Sequence, residues 1–241
     1  MPDTVVIIPT FNEIENIEAI IEAVFSQEKV FHVLVVDDNS PDLTSKKVKE
    51  LQLEYPRQLH LLERQEKTGL GTAYIAGFKW CLEREYKYVF EMDADFSHNP
   101  NDLIRLYNAC HLQHADLAVG SRYVTGVNVV NWPMSRILLS YFASKYVRFI
   151  TRMKIHDTTA GFVCYKREVL EAIDLNSIKF VGYAFQIEMK FKAYLKQFKI
   201  VEIPVIFTDR SKGKSKMSGG IISEAILGVI SMKINSFFRK K

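Results

Sequence analysis

The sequence predicts an α/β protein built on a doubly wound, mostly parallel sheet. Strand and helix signals alternate along the chain, the strand segments are continuously apolar, and no low-complexity linker interrupts them. Continuously apolar strands are typical of parallel sheets whose two faces are both covered by helices. The chain has 241 residues, of which 48% are hydrophobic, and we expect a single domain followed by a C-terminal amphipathic helix.

The first strand–helix unit opens the chain. Residues 4–9 read as a buried strand, and a helix is expected to open at Asn12-Glu13. The apolar side chains of that helix recur at helical spacing: Ile14, Ile17, Ile21 and Val24. A second buried strand over residues 31–36 ends in Asp37-Asp38 and precedes a lysine-rich helix.

The later units repeat this pattern. We predict a strand over residues 59–62, a helix that follows the loop KTGLGTAY and runs to residue 80, a strand over 86–92, a helix over 102–111 and a strand over 115–120. A strand over 201–207 and helices over 133–152 and 221–238 complete the prediction.

The strand over residues 86–92 ends in two acids, Asp93 and Asp95, within MDADFSHNP. Two carboxylates held this close repel each other, and a divalent cation shared with ligand phosphates relieves the repulsion. We therefore interpret the pair as an Asp-x-Asp clamp for a metal and a diphosphate. The alternative is that either acid only caps the helix that begins near Pro100.

Candidate binding residues follow four of the predicted strands. Because the carboxyl ends of parallel strands share one edge of a sheet, we expect these residues to meet in one crevice. They would supply a ring for stacking, an acid for a ribose hydroxyl or base edge, a metal clamp and an arginine. The set comprises Pro9, Phe11, Glu13, Asp38, Asp93, Asp95, Ser121 and Arg122. The alternatives are structural: Glu13 in a helix's first turn, Asp38 in a turn, and Phe11 in the core.

Composition and termini bound the class of protein. The net charge of +4 is too modest to indicate nucleic-acid binding. Cys81, Cys110 and Cys164 lack metal spacing and read as reduced thiols of a cytosolic protein. The N-terminus carries acid early, unlike a signal peptide, and no segment has the roughly 20 apolar residues of a spanning helix. Any membrane contact is therefore expected at the surface, on the cytoplasmic face.

Seven motifs carry a specific resemblance: IIPTFNE, VVDDNSPD, GLGTAY, MDADFSHNP, GSRY, DTTAGFVCYKR and EIPVIFTDRSKGKSKMS. In order and spacing this set resembles the polyprenyl-phosphate (dolichyl-phosphate) mannosyltransferases, which are inverting family-2 glycosyltransferases. The resemblance runs from the first strand to residue 218. The N-terminal motifs indicate family 2 in general, and the final motif narrows the resemblance to the polyprenyl-phosphate branch.

The resemblance implies a GT-A-type nucleotide-diphospho-sugar transferase fold over residues 1–218. It implies transfer of mannose from GDP-mannose to a polyprenyl (dolichyl-type) monophosphate with inversion to the β product, with Mg²⁺ or Mn²⁺ as cofactor. Residues 219–241 would form an amphipathic helix that binds the membrane surface or a small membrane subunit. Residues 133–152 would form a membrane-interface helix that holds the acceptor.

The resemblance also implies roles for individual residues. The nucleoside would lie against Pro9, Phe11, Glu13, Val36 and Asp38, and the diphosphate against Asp93, Ala94 and Asp95. The metal would be held by Asp93, Asp95 and Ser97. The phosphates of the donor would be neutralised by Arg122, Arg210 and Lys216, which with Asp95 form the expected catalytic set. The acceptor phosphate would be held by Arg122, Arg136 and Ser140.

Two segments of the chain are each compatible with two interpretations. The basic loop RSKGKSK, residues 210–216, suits a lid that closes over a diphosphate, or it is a solvated charge run. The helix over 133–152 carries a polar row of Arg136, Ser140, Ser144 and Arg148 opposite an apolar stripe. This pattern suits a membrane interface or a helix packed on the sheet.

The residues are also compatible with other functions. The donor could be UDP-linked and the sugar glucose, Glu188 and Asp157 could contact sugar or be structural, and the protein could be an inactive transferase that only binds. From other classes, a phosphoacceptor signalling domain would use Asp37-Asp38, and basic residues with aromatics could bind nucleic acid.

Overall fold

The computed structural model describes residues 3–209 and 220–238 of the chain. The strands are β1 (Thr4–Thr10), β2 (His32–Asp37), β3 (Leu59–Glu63), β4 (Tyr88–Glu91), β5 (Leu117–Ser121), β6 (Val129–Val130), β7 (Val163–Lys166), β8 (Ile200–Pro204) and β9 (Phe207–Thr208). The α-helices are α1 (Ile17–Phe25), α2 (Thr44–Glu54), α3 (Leu70–Leu82), α4 (Leu103–His111), α5 (Met134–Thr151), α6 (Arg167–Ala172), α7 (Tyr183–Leu195) and α8 (Gly220–Phe238). Short 3₁₀ turns precede α4 and α7.

Seven strands form the central sheet in the order β3-β2-β1-β4-β7-β5-β8. Strand β7 runs antiparallel to β4 and β5, and the other pairs are parallel. Strands β1, β2, β4 and β5 therefore end at the same edge. A second, two-stranded parallel sheet joins β6 and β9. The predicted doubly wound, mostly parallel sheet is confirmed.

Both faces of the sheet are buried, as the apolar strands predicted. In β1, Val6 and Ile8 pack with α1, α2 and α4, whereas Val5 and Ile7 face α3, α6 and α7 on the other side. A third apolar cluster joins α5, α7 and α8 through Val147, Ile187, Phe191, Val229 and Met232. Helix α8 is thereby packed against the rest of the protein.

Helix α1 begins four residues later than predicted. Asn12 has a positive φ of 59°, so the chain turns before the helix starts at Ile17. Side chains from the loop after β2 stabilise that turn, because Ser40 and Thr44 accept the backbone N–H groups of Asn12 and Glu13. The prediction of a helix opening at Asn12-Glu13 was therefore wrong. The hydroxyls that satisfy these two backbone N–H groups belong to a distant segment, so the local sequence did not show that a turn comes before the helix.

Other strands also differ from prediction. The strand predicted over 86–92 is shorter, Tyr88–Glu91, and the one predicted over 201–207 is divided into β8 and β9. The antiparallel strand Val163–Lys166 was not predicted as a strand. It lies within the motif DTTAGFVCYKR and has only four residues. A segment this short does not show the alternation of apolar and polar residues by which a strand is recognised.

Within the described part of the chain, no helix combines the length and the apolar character needed to cross a bilayer.

Candidate active site

A cavity of about 400 Å³ lies at the carboxyl edge of the sheet, between that edge and α5. The residues that line it come from positions 70 to 209 of the chain. They include Asp93, Asp95, Ser97, His98, Arg122, Trp132, Arg136, Ser140, Tyr146, Thr159, Gly161, Gln186, Phe207 and Asp209. Six of the residues predicted as ligands of a metal or a phosphate therefore share one cavity: Asp93, Asp95, Ser97, Arg122, Arg136 and Ser140.

The carboxylate wall of the cavity follows β4 directly. Asp95 is buried, and its Oδ1 accepts hydrogen bonds from the backbone N–H and the hydroxyl of Ser97. Between them Phe96 has a positive φ of 60°, which gives the segment its tight turn. The backbone N–H of Asp93 donates to Nδ1 of His98 at 3.1 Å. The turn thus fixes the spacing of both acids.

The oxygen atoms of Asp93, Asp95 and Ser97 fit a hard divalent cation. Mg²⁺ and Mn²⁺ prefer oxygen ligands, and Mg²⁺ is commonly held by one or two carboxylates together with substrate phosphates. Among residues 3–209 and 220–238, no three His, Cys, Asp or Glu side chains cluster closely enough to hold a metal alone. The donor set therefore suits a cation whose coordination a bound diphosphate completes.

Arg122 follows β5 and is paired with a buried acid. Its Nε and Nη2 donate to Oδ2 and Oδ1 of Asp157, each at 2.7 Å, and its backbone N–H donates to Oδ2 at 2.9 Å. Burial alone would raise the pKa of Asp157, but the Arg122 guanidinium outweighs it and lowers that pKa. Of the two roles left open for Asp157, the structure places this carboxylate on Arg122.

Helix α5 lines the cavity with its polar row. Nη1 of Arg136 donates to Asp209 at 2.9 Å, and its guanidinium lies 4.0 Å from the Trp132 ring centroid. Ser140 lines the cavity and Ser144 is buried. The polar row therefore faces the interior of the protein.

The outer face of α5 is strongly apolar. Leu138, Phe142 and Phe149 are 48%, 61% and 67% exposed. On the neighbouring α8, the side chains of Leu227, Ile230 and Ile234 are exposed as well. Exposed apolar surface of this extent marks an interaction face. The part of the stripe formed by Leu138, Phe142 and Phe149 is therefore exposed, and its contact with a membrane interface stays a prediction.

The residues predicted to hold the nucleoside lie along the same edge, at the ends of β1 and β2. Pro9 and Val36 are direct neighbours in the sheet. Asp38 accepts a hydrogen bond from Nη1 of Arg64 at 2.7 Å. Burial raises the pKa of Asp38, and Arg64 opposes that rise.

Phe11 and Glu13 extend this part of the edge. Nζ of Lys67 lies 4.2 Å from the centroid of the Phe11 ring. The Glu13 carboxylate accepts a hydrogen bond from the amide of Asn16. Phe11 and Glu13, like Pro9, Val36 and Asp38, are not among the residues that line the cavity, so the edge has two distinct parts. Ala94 is buried between the two acids.

Asp37 has a structural role. Its Oδ1 accepts the hydroxyls of Thr10 and Ser40, and its Oδ2 accepts the backbone N–H of Ser40. Because Asp37 is occupied in this way and Asp38 is paired with Arg64, neither matches the exposed acid that a phosphoacceptor domain presents. The signalling alternative is therefore disfavoured.

Glu188 is also structural. Its Oε2 accepts the backbone N–H groups of Lys179 and Phe180 at 2.9 and 3.2 Å, and its Oε1 lies 3.2 Å from Nζ of Lys192. This carboxylate anchors the loop before α7. Of the two readings that the sequence left open for Glu188, the structure favours the structural one.

Sequence reasoning missed a buried polar network beneath the cavity. Nε2 of Gln186 donates to Glu91 at 2.7 Å, and Nζ of Lys190 donates to the carbonyl of Ala160 at 2.6 Å. Burial raises the pKa of Glu91 to about 8 and lowers the pKa of Lys190 to about 8. Glu91 adjoins the motif MDADFSHNP, but a single lysine on a helix gives no sign that it is buried.

Sequence reasoning also missed His98. Its ring lies in the cavity wall next to the two acids, and burial lowers its pKa to about 4 although Asp95 opposes this shift. Two predicted residues, Arg210 and Lys216, and the basic loop that contains them lie outside the described residues.

An α/β sheet edge with an Asp-x-Asp pair in a deep cavity is an arrangement suited to sugar–nucleotide transfer. Residues 5–174 match the model of glycosyl transferase family 2, which covers well over half of the chain. The chain therefore belongs to glycosyl transferase family 2, and the family predicted from the motifs is confirmed.

Several curated proteins are similar over most of this chain. Polyprenol monophosphomannose synthase of Mycolicibacterium smegmatis is 50% identical over 94% of this chain and 85% of its own length. Undecaprenyl-phosphate mannosyltransferase of Micrococcus luteus is 46% identical over 92% of this chain and 90% of its own. Dolichol-phosphate mannosyltransferase of Pyrococcus furiosus is 38% identical, over 91% of this chain but 60% of its own.

Solved structures support the fold. Glucosyl-3-phosphoglycerate synthase from Mycobacterium tuberculosis, in complex with Mn²⁺, UDP and glucosyl-3-phosphoglycerate, aligns over 97% of this chain and 80% of its own, with a TM-score of 0.66 and 14% identity. A mannosyltransferase from Pyrobaculum calidifontis, in complex with GDP-mannose and Mn²⁺, aligns over 100% of this chain and 65% of its own, with a TM-score of 0.63 and 18% identity. At these identities the likeness concerns the fold, and the predicted GT-A-type fold is confirmed.

Proposed function

We propose that this protein transfers mannose from GDP-mannose to a polyprenyl monophosphate of the dolichyl type, with inversion to the β-linked product. One observation carries the proposal: a single cavity has the Asp93 and Asp95 carboxylates on one side and Arg136 and Ser140 of α5 on the other. The names of three relatives, each a polyprenyl-phosphate mannosyltransferase, support the substrate class.

The donor would lie along the sheet edge. Its nucleoside would rest at the ends of β1 and β2, near Phe11 and Asp38, and its diphosphate would reach the cavity at Asp93, Ala94 and Asp95. Mg²⁺ or Mn²⁺, held there with Ser97, would supply charge stabilisation for the departing diphosphate. Arg122, with Arg210 and Lys216 of the basic loop, would add positive charge to the same side.

The acceptor phosphate would enter between Arg136 and Ser140, with Arg122 within the same cavity. A phosphomonoester has a second pKa of about 6, so near neutral pH it is mostly ionised and needs no strong general base. The protein's contribution is then to position the phosphate oxygen opposite the leaving diphosphate and to stabilise the charge that develops. Attack from the opposite face inverts the anomeric carbon.

The isoprenoid chain of the acceptor would remain in the bilayer. The apolar side chains of α5 and α8 that face outward are close to the cavity, since Leu139 and Phe142 of α5 also line it. Helices of this kind lie in the membrane interface with the apolar face inserted. We infer a peripheral protein on the cytoplasmic face of a membrane, and a small membrane subunit would be an alternative partner for the same face.

The test is a transfer assay with three donors. Purified protein is incubated separately with radiolabelled GDP-mannose, GDP-glucose or UDP-glucose, together with Mg²⁺ and a polyprenyl phosphate, and label is counted in the organic phase. We expect label from GDP-mannose, and none when the matching polyprenyl alcohol replaces the phosphate or when a chelator removes the metal. Transfer from UDP-glucose alone would overturn the donor assignment, and equal transfer to the alcohol would overturn the acceptor.

A further inference from the structure

His98 lies in the cavity wall beside the two acids and is only 4% exposed. Its Nδ1 accepts the backbone N–H of Asp93 at 3.1 Å. A ring nitrogen accepts a hydrogen bond only when it carries no proton, so the proton of the neutral imidazole is on Nε2. The fold therefore presents a defined hydrogen-bond donor at this position.

The ring of His98 is held rigidly. It stacks on Phe162 with centroids 4.9 Å apart and an interplanar angle of 11°, and Phe207 contacts it edge-on at 5.5 Å. Its Cε1, the atom between the two nitrogens, lies 3.8 Å from the point where a Cβ on Gly161 would stand. Gly161 also lines the cavity, so the nitrogen-bearing edge of the ring faces that space.

Nε2 of His98 has no protein partner within residues 3–209 and 220–238. The ring lines the cavity, so a ligand or water in that space can accept a hydrogen bond from Nε2–H. Arg122 and Arg136 line the same cavity together with Asp93, Asp95 and Asp209, a mixed set of charges that suits a phosphate bound with a divalent cation. A neutral imidazole can donate to that anion without adding charge beside Asp95.

We propose that His98 binds a phosphate oxygen of the substrate through its Nε2–H while its Nδ1 holds the backbone of Asp93. This inference rests on the proposed function, because the phosphate belongs either to the diphosphate of the sugar nucleotide or to the lipid acceptor. His98 thus couples the position of a metal-clamp residue to the presence of substrate phosphate.

The first experiment observes the imidazole directly by long-range ¹H–¹⁵N NMR of protein with labelled histidine. The His98 signals are those that vanish in His98→Gln. We expect the Nε2-protonated tautomer and a shift of its resonances on addition of either GDP with Mg²⁺ or a short-chain polyprenyl phosphate in micelles. An Nδ1-protonated ring, or no shift with either probe, would overturn the proposal whether or not the protein transfers sugar.

The second experiment uses two variants that each keep one nitrogen's function. His98→Asn places an amide oxygen where Nδ1 accepts and removes the Nε2 donor, whereas His98→Gln places an amide N–H near Nε2. With folding checked by thermal melting, His98→Asn should raise KM for one substrate about tenfold, the loss of one hydrogen bond to a charged group. His98→Gln should recover most of the affinity for that substrate, because its amide N–H replaces the Nε2 donor.

The substrate whose KM rises identifies the phosphate. A rise for GDP-mannose alone assigns the contact to the diphosphate, and a rise for the polyprenyl phosphate alone assigns it to the acceptor. Unchanged KM values for both in a stable His98→Asn protein would refute the role. A wild-type enzyme that transfers no mannose would refute the proposed function instead, and the NMR result would stand separately.

Discussion

Replacing Asp157 by Asn tests whether the ion pair with Arg122 holds the cavity wall in place. The side chain of Asp157 is fully buried, Arg122 is nearly so, and the carboxylate accepts three hydrogen bonds from that arginine. Removing one partner of a buried ion pair leaves the other uncompensated and costs about 3–5 kcal/mol. For a chain of this size each kcal/mol lowers the Tm by roughly 2 °C, so we expect a fall of about 6–10 °C.

The assay is thermal unfolding at pH 7.5, with Asp174→Asn as the matched control. Asp174 is exposed and accepts the backbone N–H of Asn176 at the start of a 3₁₀ turn. Asn caps such a turn about as well as Asp, so the Tm of this control should stay near that of the wild type. A Tm for Asp157→Asn within about 2 °C of the control would refute the reasoning, because substitution of an exposed acid without a buried partner changes the stability by no more than this.

The pH dependence has a definite sign. The pKa of Asp157 is lowered in the folded protein, so its ionised form favours the folded state above its ordinary pKa of 3.8. That contribution is lost as the pH falls through the lowered pKa. The stability gap between wild type and Asp157→Asn should therefore be constant from pH 8 to 5 and narrow below about pH 4. A gap that widens in acid would contradict the assigned pairing.

Two further predictions concern other parts of the protein. Lys190→Met should lower the free energy of unfolding by about 1–3 kcal/mol, because the buried carbonyl of Ala160 loses its donor. The deficit in the free energy of unfolding should grow above pH 8. There the wild type gains stability as Lys190, whose pKa is lowered in the folded protein, loses its proton, whereas the variant leaves Glu91 with a still higher pKa. Equal shifts of the urea midpoint at pH 6.5 and at pH 9 would contradict this. Phe149→Glu should weaken sedimentation with anionic vesicles several-fold, whereas Leu53→Glu, a change at an 83% exposed position on α2, should not. Equal effects of both substitutions would remove α5 from the membrane face.

The sheet and its edge were predictable because burial on both faces leaves a strong signal. Strands β1, β2 and β4 are continuous apolar runs that end in polar residues, and this pattern alone places Asp38, Asp93 and Asp95 at one edge. Strand β7 gave no such signal, since it is short and pairs antiparallel with strands distant in the chain. Its position was set by tertiary pairing and not by its own sequence.

Residues that act through burial were harder to predict. A lysine in a helix is normally exposed, yet Lys190 is fully buried because backbone carbonyls and Gln186 surround its ammonium group. The two faces of α5 were visible in the sequence, but only the structure shows that the polar row of Arg136, Ser140 and Ser144 faces inward. His98 stood inside a recognised motif, and its role depends on a backbone N–H that no sequence pattern reveals.

The central claim is that one cavity holds the donor on its carboxylate side and the lipid phosphate on its α5 side. The most direct test compares Asp95→Ala and Arg136→Ala by steady-state kinetics, with folding verified by circular dichroism. Asp95→Ala should abolish metal-dependent mannose transfer, and Arg136→Ala should raise KM for the polyprenyl phosphate about tenfold or more while KM for GDP-mannose stays unchanged. Full activity of Asp95→Ala, or a rise confined to KM for GDP-mannose in Arg136→Ala, would contradict the account.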